Sequence, residues 1–108
     1  METLKKRSEF LALRQARGKG TPAFLLAVRH RDDGDDQIRV GYTVTKKIGG
    51  AVQRNRIKRR LKAASREVFP KGAVNGCDYV LIARPKAKTR KYAELLDDMK
   101  RALLSLTQ

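Results

Sequence analysis

One cysteine, Cys77, and one histidine, His30, are all that the 108-residue chain contains of either type. An internal disulfide is therefore excluded, and so is a structural zinc site built from a Cys/His set. The bland roles are expected for both: Cys77 as a small apolar strand residue, His30 as the exposed end of a strand. Long apolar runs are missing as well, since none approaches the roughly 20 residues that a membrane-spanning helix requires. The opening stretch Met1 to Arg7 is basic, but Ser8, Glu9 and Arg14 follow where a secretory signal would carry its apolar core, so a cytoplasmic location is expected. Acids are scarce: 11 Asp and Glu stand against 26 Lys and Arg, a formal net charge of +15. Like charges at that density weaken the compact state, and a polyanion relieves the repulsion.

The acids that are present do not suggest catalysis. Metal-dependent phosphodiester cleavage needs carboxylates converging on a cation, and general-base cleavage needs a positioned histidine. Asp32, Asp33, Asp35 and Asp36 fall in one turn-like segment, while Asp97 and Asp98 are neighbours that point two ways from one helix. No catalytic residue and no metal ligand is expected on this chain.

With 41% hydrophobic residues and no abrupt compositional shift, residues 1–108 are expected to form a single domain. Ser8 caps a short predicted helix carrying Phe10, Leu11 and Leu13, which Gly18 and Gly20 stop. Ala23 to Val28 has strand length, and Ile38, Val40, Tyr42 and Val44 alternate on one face of a second strand. The Asp33-Gly34 step between them predicts an antiparallel hairpin. A second helix runs from about Ala51 to Val68, with Ile57, Leu61, Ala64 and Val68 as its apolar stripe and Phe69-Pro70 as its end. Tyr79 to Ala83 reads as a buried strand ended by Arg84-Pro85. Thr89 caps a last helix in which Tyr92, Leu95, Leu96, Met99, Leu103 and Leu106 keep the helical period. The sum is an α+β domain with a mixed sheet of three to four strands and three helices.

The helix from Ala51 is the informative segment. Arg54, Arg56, Lys58, Arg59, Arg60, Lys62 and Arg66 fill nearly every position that its stripe leaves free, and Glu67 is its only acid. A helix that is merely solvated mixes acids with bases for pairing one turn apart; this one does not. Lys46 and Lys47 precede it beside Gly49 and Gly50, where a phosphate could approach bare backbone N–H groups. Asn55 adds an amide able to read a base edge or a ribose hydroxyl. The guanidinium groups around it grip phosphate bidentately and stack on bases, which suits irregular RNA.

The run Thr45-Lys46-Lys47-Ile48-Gly49-Gly50-Ala51-Val52-Gln53-Arg54-Asn55-Arg56-Ile57-Lys58-Arg59-Arg60 resembles the signature of the bacterial ribonuclease P protein family. That family supplies the protein subunit of the RNA-based enzyme that trims the 5′ end of precursor tRNA. The likeness extends to Leu4-Lys5-Lys6-Arg7 with Phe10, to Arg39-Val40-Gly41, and to Asp78 through Arg84. It implies a domain similar to the second domain of ribosomal protein S5, with a left-handed strand–helix–strand crossover where sequence physics alone predicts a right-handed one. It further implies that Arg54, Asn55, Arg56, Lys58, Arg59 and Arg60, flanked by Lys46, Lys47 and Lys62, face the catalytic RNA. A cleft between the first helix and the sheet would hold the single-stranded 5′ leader of precursor tRNA, with Phe10 at an aromatic position. Arg14 stands where relatives often carry a second aromatic, and Ala27 stands near another, so leader contact is expected to lean on Arg14, Phe24 and Tyr42. Mg²⁺ would serve the holoenzyme through the RNA, with none held by this chain and no obligate protein partner. A ribosomal or ribosome-assembly protein would share the charge, size and fold class and is the alternative; a DNA-reading factor fits less well, because the helix is basic around most of its girth rather than on one face.

Overall fold

The computed structural model describes residues 1–4 and 17–107. The helix expected at Phe10 to Leu13 lies outside the described residues. The strands are β1 (Glu2–Thr3), β2 (Arg17–Gly20), β3 (Phe24–His30), β4 (Arg39–Thr43) and β5 (Cys77–Ala83). They form one sheet in the order β1-β4-β5-β3-β2, five strands where three to four were expected. Helix α1 spans Ala51–Gly72 and helix α2 spans Tyr92–Thr107, with a 3₁₀ turn at Pro85–Lys88 before α2.

β5 is central because its apolar run is buried along almost its whole length and requires a neighbour on each side. It pairs antiparallel with β3 and parallel with β4. The hairpin expected between β3 and β4 therefore does not form. The acidic segment between them crosses the end of β5 instead, tied down by Arg31. That guanidinium donates to Asp33 at 3.0 Å, to Asp78 at 2.8 Å and to the carbonyls of Asp35 and Gln37 at 3.0 and 2.7 Å. Asp78, only 2% exposed at the head of β5, also accepts two bonds from Arg39 at 2.7 and 2.9 Å. One carboxylate thus ties the end of β3 to the starts of β4 and β5. The hairpin that does form joins β2 to β3, so Gly18 and Gly20 lie in an edge strand rather than at a helix stop.

Both helices cover one face of the sheet. The stripe Ile57, Leu61, Ala64 and Val68 is buried as expected, together with Ser65 and Phe69. It packs with Phe24 and Leu26 of β3, Val40 of β4, Tyr79 and Leu81 of β5, and Leu95, Met99 and Leu103 of α2. The alternation of Ile38, Val40, Tyr42 and Val44 holds, for all four reach this core. Each fully buried side chain of this size contributes about 1.5–3 kcal/mol. A smaller cluster, Leu4, Val80 and Ile82, forms on the opposite face.

Two helix ends differ from expectation. α1 continues through Phe69 and Pro70 to Gly72. The Phe69 ring is fully buried edge-on against Tyr79, with centroids 5.1 Å apart, and that packing outweighs the local bias that Pro70 places on its predecessor. Thr89 does not cap α2; it closes the 3₁₀ turn, its N–H bonding to Lys86 O at 3.2 Å, and α2 begins at Tyr92. Pro85 fixes the backbone for that turn and Ala87 is buried beneath it.

Candidate nucleic-acid interface

At about 100° per residue, Val52, Asn55, Lys58, Arg59, Lys62 and Arg66 share the face of α1 that points away from its buried stripe. The first five line a shallow open groove. Val52 is 75% exposed at one end, an apolar spot among cations. At the other end Lys62 Nζ lies 5.8 Å from the centre of the Tyr42 ring, within cation–π range. The Ser65 hydroxyl donates to Lys62 O at 2.9 Å. Its proton is thereby used, so in the 2.5 Å Tyr42–Ser65 contact the phenol is the donor. Burial raises the Tyr42 hydroxyl above its ordinary pKa. The phenol and Ser65 fix Lys62 at the groove end through its own backbone.

Lys46 and Lys47 are exposed in the turn that enters α1, which is anchored by the buried Ile48, whose N–H bonds to Thr45 O at 3.1 Å. The first helical bond runs from Arg54 N to Gly50 O at 2.9 Å. Gly50 supplies no side-chain cap, and the first turn holds no acid, so the cations meet no local counter-charge. Gly49 is the packing surface for Gln53: a Cβ there would meet Gln53 Oε1 at 1.8 Å.

Within the basic run the arginines divide. Arg56 and Arg59 are exposed. Arg54 is half-buried, and its Nε is enclosed without a hydrogen-bond partner. Arg60 turns inward instead, donating from Nη1 to Ala87 O at 2.6 Å and from Nη2 to Arg90 O, which ties α1 to the junction before α2. No pattern in the sequence marked Arg60 apart from Arg59, because the carbonyls that capture it lie 27 and 30 residues away.

Among the described residues, most of the acids that make side-chain bonds make them away from the α1 groove. Glu67 accepts from the Tyr92 hydroxyl at 2.5 Å. Arg90 makes two bonds to Asp98 at 2.9 and 3.0 Å and one to Glu94 at 2.6 Å, and Arg101 pairs with Asp97. Asp33, held below the ordinary carboxylate range first by the Asp35 N–H and then by Arg31, belongs to the loop network. Among the described residues no three His, Cys, Asp or Glu side chains gather where a metal could be held.

Of the residues expected at the leader, Phe10 and Arg14 lie outside the described residues. Phe24 is fully buried among the helices and cannot stack on an unpaired base, which corrects that expectation. Strand alternation explains it: Phe24 and Leu26 face the helices, and Tyr42 is on that same side, adjoining the α1 groove. The opposite face of the sheet carries Leu25, Ala27, Gly41, Thr43, Val80 and Ile82 in register, residues that reading β3 by aromatic content alone passed over.

A small α+β domain that pairs Asp33, Asp78, Glu94, Asp97 and Asp98 with arginines elsewhere in the fold while leaving a helix of arginines and lysines unneutralised is a polyanion-binding protein. The family model for ribonuclease P matches residues 1–107. The ribonuclease P protein component of Caulobacter vibrioides (strain NA1000 / CB15N) is 51% identical over 105 residues, covering 97% of this chain and 70% of that protein. The counterpart from Ruegeria pomeroyi is 47% identical over 108 residues, covering 98% and 86%. Among solved structures, the RNase P protein from Thermotoga maritima matches with a TM-score of 0.77 at 25% identity, over 94% of this chain and 97% of that one. The chain belongs to the ribonuclease P protein component family. It is a protein subunit of the holoenzyme that cleaves tRNA precursors, its partner is the ribonuclease P RNA, and the ribosomal alternative is set aside.

Proposed function

We propose that this chain grips the ribonuclease P RNA through the outward face of α1 and presents a second surface to the 5′ leader of precursor tRNA. The observation that carries the reading is the unneutralised α1 face: Asn55, Lys58, Arg59 and Lys62 line one groove, and among the described residues none of these cations is in an ion pair. Arg54, Arg56, Lys46 and Lys47 extend that contact toward the helix N-terminus, while Arg60 supports it from behind. Phosphate contacts of this kind position an RNA, and the Asn55 amide adds recognition of a base edge or ribose hydroxyl.

Phe10 is proposed as a leader contact on the strength of the family motif, and Arg14 because it occupies a position where relatives often carry a second aromatic. A single aromatic stack is worth about 1–3 kcal/mol and tolerates any base, as a leader of variable sequence requires. Cleavage itself is assigned to the RNA, where bound Mg²⁺ would supply activation of water and stabilisation of charge on the leaving oxygen, and no residue of this chain is proposed to hold it. This chain's own contribution is charge: cations near the junction of two polyanions lower the repulsion that divalent ions would otherwise have to offset. Work on cytoplasmic tRNA precursors is the proposed setting.

The test compares Arg59→Ala and Phe10→Ala in the reconstituted holoenzyme. Arg59→Ala should lower the salt dependence of RNA assembly by about 0.7–0.9 in the log–log slope. Phe10→Ala should weaken affinity for precursor tRNA roughly 5- to 150-fold and leave mature tRNA unaffected. Equal losses for both tRNAs in a folded protein would refute the leader role, and an unchanged slope would refute the α1 contact.

A further inference from the structure

The segment Arg84 to Lys91 holds five cations in eight residues, Arg84, Lys86, Lys88, Arg90 and Lys91, with no acid among them. The fold uses the two arginines. Arg84 donates to Thr21 O at 2.9 Å, and Arg90 is spent on Asp98 and Glu94. Lys86, Lys88 and Lys91 stay exposed, and among the described residues none is in an ion pair. The backbone that carries them is fixed: Ala87 is buried, Ala87 N bonds to Arg84 O at 2.9 Å, and Arg60 clamps the carbonyls of Ala87 and Arg90. The clamp brings a further positive charge into a turn that already repels itself. The Arg60 clamp serves the fold, but three unpaired lysines on the turn it holds add only repulsion to a connection needed to join β5 to α2.

We propose that Lys86, Lys88 and Lys91 form a second phosphate-binding ridge that continues the α1 surface onto the backbone of the ribonuclease P RNA. The inference rests on the reading of α1 as RNA-facing. Around α1, Arg59, Arg56 and Arg60 follow one another at about 40°, 100° and 140° from Asn55, so positive charge runs without a break from the groove to the 3₁₀ turn. Three ammonium groups on a rigid turn suit phosphates, which they meet as point charges, and carry no base preference. An anionic membrane fits less well. Among the described residues the exposed large apolar side chains Met1, Val52, Val74 and Leu104 are not part of this segment, and the one beside it, Tyr92, has its hydroxyl held by Glu67.

The experiment measures assembly of the full chain with its cognate ribonuclease P RNA across a salt series. The triple variant Lys86→Gln/Lys88→Gln/Lys91→Gln should lower the log–log slope by about 2, which is about a 100-fold loss of affinity near 0.1 M salt. The corresponding Lys→Arg triple should restore it. Lys71→Gln/Lys100→Gln, which removes charge along the groove between α1 and α2, controls for net charge and should change the slope by less than about 0.5. A Gln triple no different from that control, beside an Arg59→Ala variant that does lower the slope, overturns the ridge and leaves α1 standing. If Arg59→Ala is also silent, the reading of α1 falls and the ridge falls with it. Loss of binding to phosphatidylserine vesicles without loss of RNA binding overturns the proposal in favour of a membrane. The substituted side chains are exposed, so the circular dichroism spectrum should not change; should the triple fail to fold, Lys88→Gln alone must lower the slope by about 0.7–0.9 or the ridge is refuted.

Discussion

Arg59 and Arg60 are adjacent, carry the same side chain and both lie off the apolar stripe, yet they should fail in opposite ways. Arg60→Ala removes two charge-assisted bonds, to Ala87 O and Arg90 O, at the only point where the 3₁₀ turn is hydrogen-bonded by α1 among the described residues. A bond to a charged donor is worth about 1.5–3 kcal/mol; since water can reach the freed carbonyls of this half-buried site, the pair together should cost about 2 kcal/mol. For a domain of this size that lowers Tm by about 10 °C. Thermal melts of the two alanine variants, recorded at one fixed sulfate concentration, make the comparison. Arg60→Ala should melt early, with a salt slope for RNA binding that changes little once the fold is restored by cooling. Arg59→Ala should melt like the parent and lose slope. An Arg60→Ala protein with an unaltered Tm and a slope reduced as in Arg59→Ala would refute the assignment of Arg60 to the fold.

Phe24→Ala should cost about 3–5 kcal/mol, because the ring is fully buried; a stable, folded variant with weakened leader binding would place it at the RNA instead. Removing the carboxylate that Arg31 and Arg39 share, by Asp78→Ala, should destabilise by about 3–5 kcal/mol in urea unfolding, since it strands a buried guanidinium. Sulfate in the millimolar range should raise Tm, because anions bind the native +15 surface and stabilise it by mass action; a melt indifferent to sulfate would contradict this. The Tyr42 phenol, whose pKa burial raises, is held protonated more tightly in the folded chain than in the unfolded one. Its contribution is therefore full below the unfolded value near 10 and is lost as pH climbs through the higher folded value, so Tyr42→Phe should lose less stability than the parent between about pH 9 and 11.

What could be read in advance was whatever depends on neighbours along the chain. The stripe from Ile57 to Val68, the buried run of β5 and the period of α2 are local patterns, and each survives in the fold. The sign of the α1 surface was equally legible, because a missing acid is visible without coordinates. Strand pairing was not. Asp33-Gly34 does form a turn, with Asp32 and Gly34 at φ of 57° and 78°, but a turn does not reveal that β5, more than 30 residues later, will take the place between β3 and β4. The same limit hid the burial of Phe24, decided by register against Ala83, and the capture of Arg60 by distant carbonyls. Local propensity ends α1 too early at Phe69-Pro70 because the partner that buries Phe69, Tyr79, lies outside any window that it can weigh.

The central claim is that this basic domain assists an RNA enzyme rather than cutting RNA itself. Cleavage of a precursor tRNA by the cognate ribonuclease P RNA, scored across a Mg²⁺ series with and without the protein, tests it most directly. The protein should restore 5′ cleavage at Mg²⁺ concentrations too low for the RNA alone, the protein without the RNA should leave the precursor intact, and Arg59→Ala should shift the Mg²⁺ requirement back upward. Cleavage by the protein alone, or an identical Mg²⁺ profile with and without it, would contradict the account.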